Sequence, residues 1–452
     1  MPIMGIENRW EAAILFLGDM VLFYLALWVS LVLRYFELPD SKAIDLHLIP
    51  FSIIFVVWAL SFFIAGLYDK HTLLLRKRLP SLILKTQVLN SILAVLFFYF
   101  IPLFKITPKT NLFIYLAVSF LFILGWRLSV VALAGPARRE KAILIGTGPE
   151  MRELEYEVNK NPRYHINFVR TIDVEKINEA DFKNEIINTI YAQGITTIVV
   201  DLQNDKVAPL IPHLYNLIFS KMRFVDKYKV YEEVFDREPL SLLGDSWFLE
   251  NISQAPHLIY DTLKRVMDMA VSFILGVFSL VLYPFAWFAV KLDDGGALFT
   301  YQNRVGQDKK NIRLMKFRTM TANDQGEWSR GIKNEVTRVG KFLRKTRIDE
   351  LPQLWNVLAG DISLIGPRPE FPEPAEAYAA EIPYYNIRYL IKPGLSGWAQ
   401  IYQKEAPHHD VDIEQTREKL SYDLYYIKNR SFWLDIKIAL KTVKTLLSRT
   451  GI

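Results

Sequence analysis

The chain of 452 residues contains no cysteine. Disulfides and thiolate metal sites are therefore excluded. Histidine is scarce as well, with seven residues, so a zinc centre is not expected. A cleavable signal pattern is also missing: the first apolar run is of membrane-spanning length and has no small-residue cleavage site behind it. What the chain has in plenty is apolar surface. Hydrophobic residues make up 51% and aromatic residues 13%, and the mean hydropathy of +0.14 fits a protein partly embedded in lipid. The length leaves room for roughly two or three domains.

Net charge is only +6, but it is unevenly placed. Residues 301–350 hold 13 Lys and Arg against 6 Asp and Glu, a local excess of 7. Such a block suits nucleic acid, anionic lipid or a nucleotide-linked substrate.

Four apolar segments open the chain: Trp10 to Leu33, Leu48 to Leu67, Val88 to Phe104 and Leu112 to Ala134. Each is near the ~20 residues that cross a bilayer, although the third is short and Pro102 interrupts its end. A membrane α-helical bundle of four transmembrane helices is expected over 1–137. Lys70, Arg76, Lys77, Arg78 and Lys85 follow the second segment, and Arg138, Arg139 and Lys141 follow the fourth. By the positive-inside rule these flanks, the N-terminus and everything beyond residue 135 are cytoplasmic.

From Lys141 the pattern alternates between strand and helix. Ala142 to Ile145 runs into Gly146, Thr147 and Gly148, then a helix from Pro149 to Asn159, with later strands at Ile166 to Arg170 and Thr196 to Asp201. This is an α/β Rossmann-like plan, expected over 138–250. The dinucleotide fingerprint is incomplete, because its third glycine position holds Met151. A degenerate, structural or regulatory domain and a working nucleotide site both remain open, the former favoured.

Leu258 to Leu292 is apolar enough to span a membrane, yet a fifth crossing would carry the basic 301–350 block outside. Pro284 lies within it, where a helix loses a hydrogen bond and bends. The economical arrangement is a re-entrant helix hairpin over about 265–291, breaking near Tyr283 and Pro284, with Lys264, Arg265 and Asp268 at its start. Protein or interface must then satisfy the freed backbone groups. A straight fifth transmembrane helix is the alternative. Beyond it, Leu298 to Arg304 and Asn311 to Phe317 resemble a hairpin. At the far end an amphipathic helix begins at Ser431, whose Phe432, Trp433 and Ile436 rest in the membrane interface or pack on the catalytic domain.

The stretch around which these parts are organised is Arg344 to Glu370. Adjacent Asp349 and Glu350 stand behind Arg344, Lys345 and Arg347, open an apolar run, and are followed by Gly366, Pro367, Arg368 and Pro369. An isolated acidic pair is usually a solvated turn. Paired carboxylates in a basic, apolar setting instead suit chemistry on phosphate, one acid acting as nucleophile or metal ligand while the other handles protons. Arg368, fixed between two prolines, is placed to grip phosphate with two donors at once.

Lys316 to Met320, Asp349 to Asn356, Gly360 to Glu370 and Lys392 to Gln400 together resemble the bacterial sugar transferase family, the monotopic polyprenyl-phosphate glycosyl-1-phosphate transferases. The likeness covers about 258–450, and the N-terminal helices and Rossmann-like middle are similar to the family's long form. It implies an α/β catalytic domain over 251–452, on the cytoplasmic face of a bacterial inner membrane. The implied reaction transfers a sugar 1-phosphate from a UDP-sugar to undecaprenyl phosphate, with magnesium, releasing UMP. It proceeds through a covalent sugar phosphate on Asp349, which is also the implied magnesium ligand, with Glu350 assisting. Lys316, Arg344 and Arg368 fall at the family's basic positions; Arg304, Arg318 and Arg388, in or beside the motifs, join them as candidate phosphate-binding residues. Lys264, Arg265, Asp268 and Pro284 match the family's re-entrant helix, although Tyr283 stands where some members have Ser. A homodimer is implied as well. A catalytically silent membrane scaffold is the alternative from another class, and a nucleic-acid-binding membrane protein rests only on the basic block, so no nucleic-acid partner is expected.

Overall fold

The computed structural model describes residues 10–68, 79–101, 109–133, 139–161, 164–176, 189–190, 192–202, 204–216, 222–252, 257–321, 335–403 and 412–448. Lys70, Arg76, Lys77, Arg78, Pro102 and Arg138, which carry part of the topology expectation, lie outside the described residues. The chain forms two compact units, 1–233 and 234–452.

The first unit begins with α1 (Trp10–Tyr35), α2 (Ser41–Ala65), α3 (Leu79–Phe100) and α4 (Lys109–Leu133), all long and apolar enough to cross a membrane. Their inward faces share one aromatic core of Phe23, Phe51, Phe55, Trp58, Phe62 and Tyr115, while residues such as Leu17 and Val56 face outward. A helix apolar on all sides is what a lipid-facing bundle requires. A buried ion pair crosses the bundle. Arg127 of α4 bonds Asp19 of α1 and donates to Leu67 O at 2.6 Å. The third helix starts nine residues before the expected Val88, because Ile83, Thr86 and Gln87 are buried among helix partners rather than exposed in a linker.

The same unit carries a parallel sheet ordered β2-β1-β3-β4, made from β1 (Glu140–Gly146), β2 (Ile166–Asp173), β3 (Thr197–Val200) and β4 (Arg223–Asp226). Ala142, Ile143, Leu144 and Ile145 are fully buried, as the continuous apolar run of a parallel strand should be. Gly148 adopts φ +89° and opens α5 (Pro149–Lys160). Met151 is buried where the fingerprint has its third glycine. Lys227 reaches under this turn: its ammonium pairs with Asp201 at 2.9 Å and donates to Thr147 O at 3.1 Å, and its stem lies against Gly146.

The second unit starts earlier than residue 251 because its leading segment is bonded into it. Trp398 Nε1 donates to Asp236 O at 2.8 Å, and Arg237 and Lys428 pair with Glu418 and Glu238. Its membrane-type element is α6 (Leu258–Ser279) followed by α7 (Leu282–Asp293), bent by 54°. The break falls at Leu280 and Val281, ahead of the expected Tyr283 and Pro284; Pro284 sits in the first turn of α7, where its missing N–H costs nothing. Asp268, Ser272, Gly276 and Ser279 form a buried stripe on α6, while Val266, Phe273 and Phe278 point away from protein. One face therefore belongs to the second unit and the other is apolar and exposed. After it come the antiparallel pair β5 (Phe299–Val305) and β6 (Asn311–Phe317), then α8 (Arg338–Thr346), α9 (Gln353–Ala359), β7 (Ser363–Ile365), α10 (Pro372–Glu381), β8 (Gly394–Ser396), α11 (Ile413–Lys428) and α12 (Phe432–Ser448). α12 packs through Asp435 and Ile438, both fully buried, and leaves Trp433 exposed.

Candidate functional site

The acidic pair sits in a short helical turn, Ile348–Glu350, between α8 and α9. Two local features put it there. Thr337 caps α8 by accepting from Gly340 N at 2.9 Å, and Gly340 presses so close to Thr319 that a Cβ would lie 2.1 Å from its carbonyl oxygen. At the other end Arg347 takes φ +56°, a left-handed conformation that a bulky residue adopts only when its surroundings hold it there. This reversal drops Asp349 inward, to 7% exposure.

The two acids face different surroundings. Glu350 Oε1 accepts from Arg368 Nη2 at 2.9 Å and lies 3.3 Å from Lys316 Nζ and 3.7 Å from Arg347. Burial alone would raise the Glu350 carboxyl, but Arg368, Lys316 and Arg347 outweigh it and hold the group well below the usual carboxylate range. Asp349, in contrast, is pushed up to about 6 by burial and by the charge on Glu350, against the pull of Lys316 and Arg347. Its Oδ1 is buried with no hydrogen-bond partner. Burial likewise lowers the Lys316 ammonium, and Glu350 raises the Arg368 guanidinium.

The Gly366–Glu370 loop that carries Arg368 is held on two sides. β7 and β8 pair in parallel, with Ser363 N donating to Pro393 O, Gly366 N to Ser396 O and Gly394 N to Pro367 O, all between 2.8 and 2.9 Å. Gly366, Gly394 and Gly397 make this approach possible, since a Cβ on any of them would lie 2.1 to 2.6 Å from backbone of the opposing segment. The Lys392 to Gln400 motif thus clamps the loop that carries Arg368. On the other side is a buried charge network. Arg388 donates to Arg368 O at 2.9 Å and to Tyr385 Oη at 2.7 Å and pairs with Asp423 at 2.9 Å, while Glu370 pairs with Arg388 and Lys419. Arg304 donates to Pro369 O at 3.2 Å with its guanidinium over the Phe371 ring.

The candidate residues therefore separate by position. Asp349, Glu350, Lys316 and Arg368 meet at one point. Arg344 donates to Thr319 Oγ1 at 2.9 Å, supporting the turn from beneath. Arg318 bonds Met320 O and Asp294, at the end of the β-hairpin. Arg304 and Arg388 hold the loop that presents Arg368, and at 2% side-chain exposure Arg388 offers nothing to solvent. Lys264 donates to Ile365 O and Asp435, Arg265 caps α9 through Val357 O and Leu358 O, and Asp268 accepts from Ser363 Oγ and Leu364 N. These three staple α6 to the site's scaffold. Tyr283 accepts a hydrogen bond from Trp355 Nε1 at 2.9 Å, so the hydroxyl at this position ties α7 to α9. Lys419, Asp423 and Asp435 escape a reading of the sequence; Lys419 and Asp423, four apart on a helix, have the pattern of a common surface pair.

An orphaned carboxylate oxygen next to anchored cations is a place for a multiply charged oxyanion and a hard cation. Among the described residues no cluster of three or more acids or histidines gathers, so a metal there would take its remaining ligands from phosphate and water, as magnesium does.

A family model described as Bacterial sugar transferase matches residues 259–449. The chain is 33% identical over 388 residues to the UDP-glucose:undecaprenyl-phosphate glucose-1-phosphate transferase of Klebsiella pneumoniae, covering 80% of each chain. It is 43% identical over 203 residues to the UDP-N-acetylgalactosamine-undecaprenyl-phosphate N-acetylgalactosaminephosphotransferase of Aeromonas hydrophila, a match that spans 44% of this chain and about half of that one, 47%. With the UDP-glucose:undecaprenyl-phosphate glucose-1-phosphate transferase of Caulobacter vibrioides it shares 39% identity over 197 residues, 43% of this chain and 73% of the relative.

Proposed function

Because the chain belongs to the bacterial sugar transferase family, we propose that it transfers a sugar 1-phosphate from a UDP-sugar to undecaprenyl phosphate, releasing UMP, as the first membrane step of exopolysaccharide, O-antigen or capsule assembly. The observation that carries this reading is the contrast within the dyad: Glu350 is saturated by Arg368 and Lys316 while Asp349 keeps a buried oxygen without a partner. The free oxygen of Asp349 attacks the sugar-bearing phosphorus of the UDP-sugar. The bond from that phosphorus to the bridging oxygen breaks, and UMP leaves with the oxygen and its electron pair. An oxygen of undecaprenyl phosphate then attacks the same phosphorus, forming the diphosphate and returning Asp349 as carboxylate. Each step is a displacement at phosphorus, so the sugar's anomeric C–O bond is never broken.

Arg368 and Lys316 neutralise charge on the phosphoryl oxygens, an effect strengthened by their low exposure. Glu350 keeps both cations in place and, ionised throughout, serves as orienter. The Asp349 carboxylate, buried and only partly committed to the protein, also fits a magnesium ion, which it and the substrate's phosphate oxygens would hold and which would supply further charge neutralisation.

The location is part of the reading. We take α6 and α7 as a re-entrant hairpin in the cytoplasmic leaflet of the inner membrane, supported by the polar stripe that joins α6 to the catalytic unit and by the basic density that follows. The parallel sheet is read as a Rossmann-like domain, and the assembly as a homodimer. In the decisive experiment, UDP-sugar is supplied without the lipid acceptor. One equivalent of UMP per site and a phosphosugar adduct on Asp349 are expected; turnover that survives Asp349→Asn would sink the nucleophile.

A further inference from the structure

The second unit contains a cavity of about 420 Å³ that the proposed reaction does not use. Its wall includes Arg265 of α6, whose guanidinium caps Val357 O and Leu358 O at the C-terminal end of α9. The dyad precedes the first residue of that helix. Seven residues of helix measure about 10 Å, so cavity and dyad lie at opposite ends of α9.

The charged groups around the cavity fall into two sets. Lys264, Arg265 and Asp268 are committed to the protein through the bonds already described. Lys392 and Arg430 also line it, yet neither makes a hydrogen bond or ion pair among the described residues. Asp261 and Asp308 complete the charged lining with carboxylates. Bare phosphate would gain from the two cations and lose to the two acids. A phosphodiester bearing hydroxyls satisfies all four: phosphoryl oxygens accept from Arg430 and Lys392, and hydroxyls donate to Asp261 and Asp308. The position points the same way, because Leu258 and Ile259, at the start of α6, are 73% and 79% exposed beside the cavity residues, as expected at a lipid interface.

We propose that this cavity binds the headgroup of an anionic phospholipid of the phosphoglycerol class and so fixes the depth at which α6 enters the bilayer. The proposal rests on the membrane placement of α6 given above and is independent of the chemistry at Asp349. The test uses the full chain reconstituted in nanodiscs of phosphatidylcholine with a minor fraction of phosphatidylglycerol, released into mild detergent, with retained lipid counted by native mass spectrometry. Wild type is expected to retain phosphatidylglycerol over phosphatidylcholine, and Arg430→Gln with Lys392→Gln to lower retention at least about tenfold, or 1.4 kcal/mol. Retention at the wild-type level in that variant overturns the proposal. So does complete displacement of the lipid by millimolar glycerol 3-phosphate, which would assign the site to a soluble phosphate ester. Should the basic variant fail to fold, Asp261→Asn with Asp308→Asn serves instead: its preference for phosphatidylglycerol over phosphatidic acid, which lacks the terminal glycerol, is expected to vanish, and an unchanged preference overturns the assignment. Lipid is counted rather than UMP, so a chain inactive in transfer still gives an answer.

Discussion

Two places in this protein bring a tight glycine turn, a buried lysine and a carboxylate together, and they differ in what is left over. At the end of β1, Lys227 is spent: Asp201 neutralises it, Thr147 O accepts from it, and it occupies the space beside Gly146. At the dyad, Lys316 and Arg368 are spent on Glu350, but the neighbouring Asp349 is not spent on anything. The first is a two-glycine turn whose neighbouring charge has been internalised. The second keeps one reactive group unpaid by structure, and its raised pKa records the cost.

The largest effect expected from this contrast is at Asp349. Asp349→Asn should lower transfer by at least about 10³-fold, as loss of a nucleophile does, while melting at or above the wild-type temperature, because a carboxylate whose pKa burial raises is a destabilising charge at neutral pH. Loss of stability in that variant would mean that the acid is structural, and the contrast would fail.

Next come the filled sites. Lys227→Met leaves Asp201 buried and unpaired, and Arg388→Met does the same to Asp423. Each should cost about 3–5 kcal/mol in denaturant unfolding. Their effects on catalysis should part, however. Arg388 donates to Arg368 O, so its loss loosens the Arg368 loop and should reduce kcat about 10–100-fold in the folded fraction. Lys227→Met should leave kcat per folded molecule unchanged and gain no affinity for NAD, since Met151 still fills the third glycine position.

This division also explains what the residues disclosed by themselves. The four apolar helices, the β1 strand, the 311–317 strand and the acidic pair were legible because each rests on local pattern: hydropathy length, a continuous apolar run, adjacent charges. Arg388 and Arg304 read as phosphate ligands because they are basic and stand near motifs, yet both turn out to brace the loop. Nothing local distinguishes an arginine that meets substrate from one buried behind it; that depends on Asp423 and Lys419, which arrive from α11. The break in the membrane helix was misplaced by a few residues for a related reason. A proline inside an apolar run suggests itself as the cause of a bend, whereas Pro284 is tolerated in the first turn of α7 and the chain turns just before it.

Glu238 sharpens the comparison, since it too has a buried oxygen without a partner, Oε2. It differs from Asp349 in having one cation, Lys428 at 3.3 Å, rather than a basic cluster. Burial pushes its carboxyl up to about 7, against the pull of Lys428. The folded chain therefore binds this proton more tightly than the unfolded chain does, and the contribution to stability is fully present below the unfolded value of 4.5 and lost as pH rises through 7. The expected change is on the order of 3 kcal/mol, read as unfolding midpoints between pH 4.5 and 8. Glu238→Gln should reduce that dependence by this amount, leaving the part that Asp349 contributes as pH rises through about 6, without altering UMP release per folded molecule. A variant slope equal to that of the wild type would assign the titration elsewhere.

The smallest effect is expected where the chain carries a tyrosine at the start of α7. Trp355 Nε1 donates to the Tyr283 hydroxyl at 2.9 Å, and the Tyr283 ring packs edge-on against Phe317 at 4.9 Å. Phe317 follows Lys316 on β6, and Trp355 belongs to α9, which the dyad precedes. Tyr283 thus links the membrane-type helix α7 to strand β6 and helix α9, the two elements that flank the site. Tyr283→Phe keeps the ring and removes one neutral hydrogen bond, worth about 1 kcal/mol, so unfolding should shift by that amount with kcat nearly unchanged. Tyr283→Ser also discards the ring contact and leaves a cavity, for which about 3 kcal/mol is expected. If the two variants prove equal, the hydroxyl carries the whole link between α7 and α9, and the aromatic packing adds nothing to how the open acid is held.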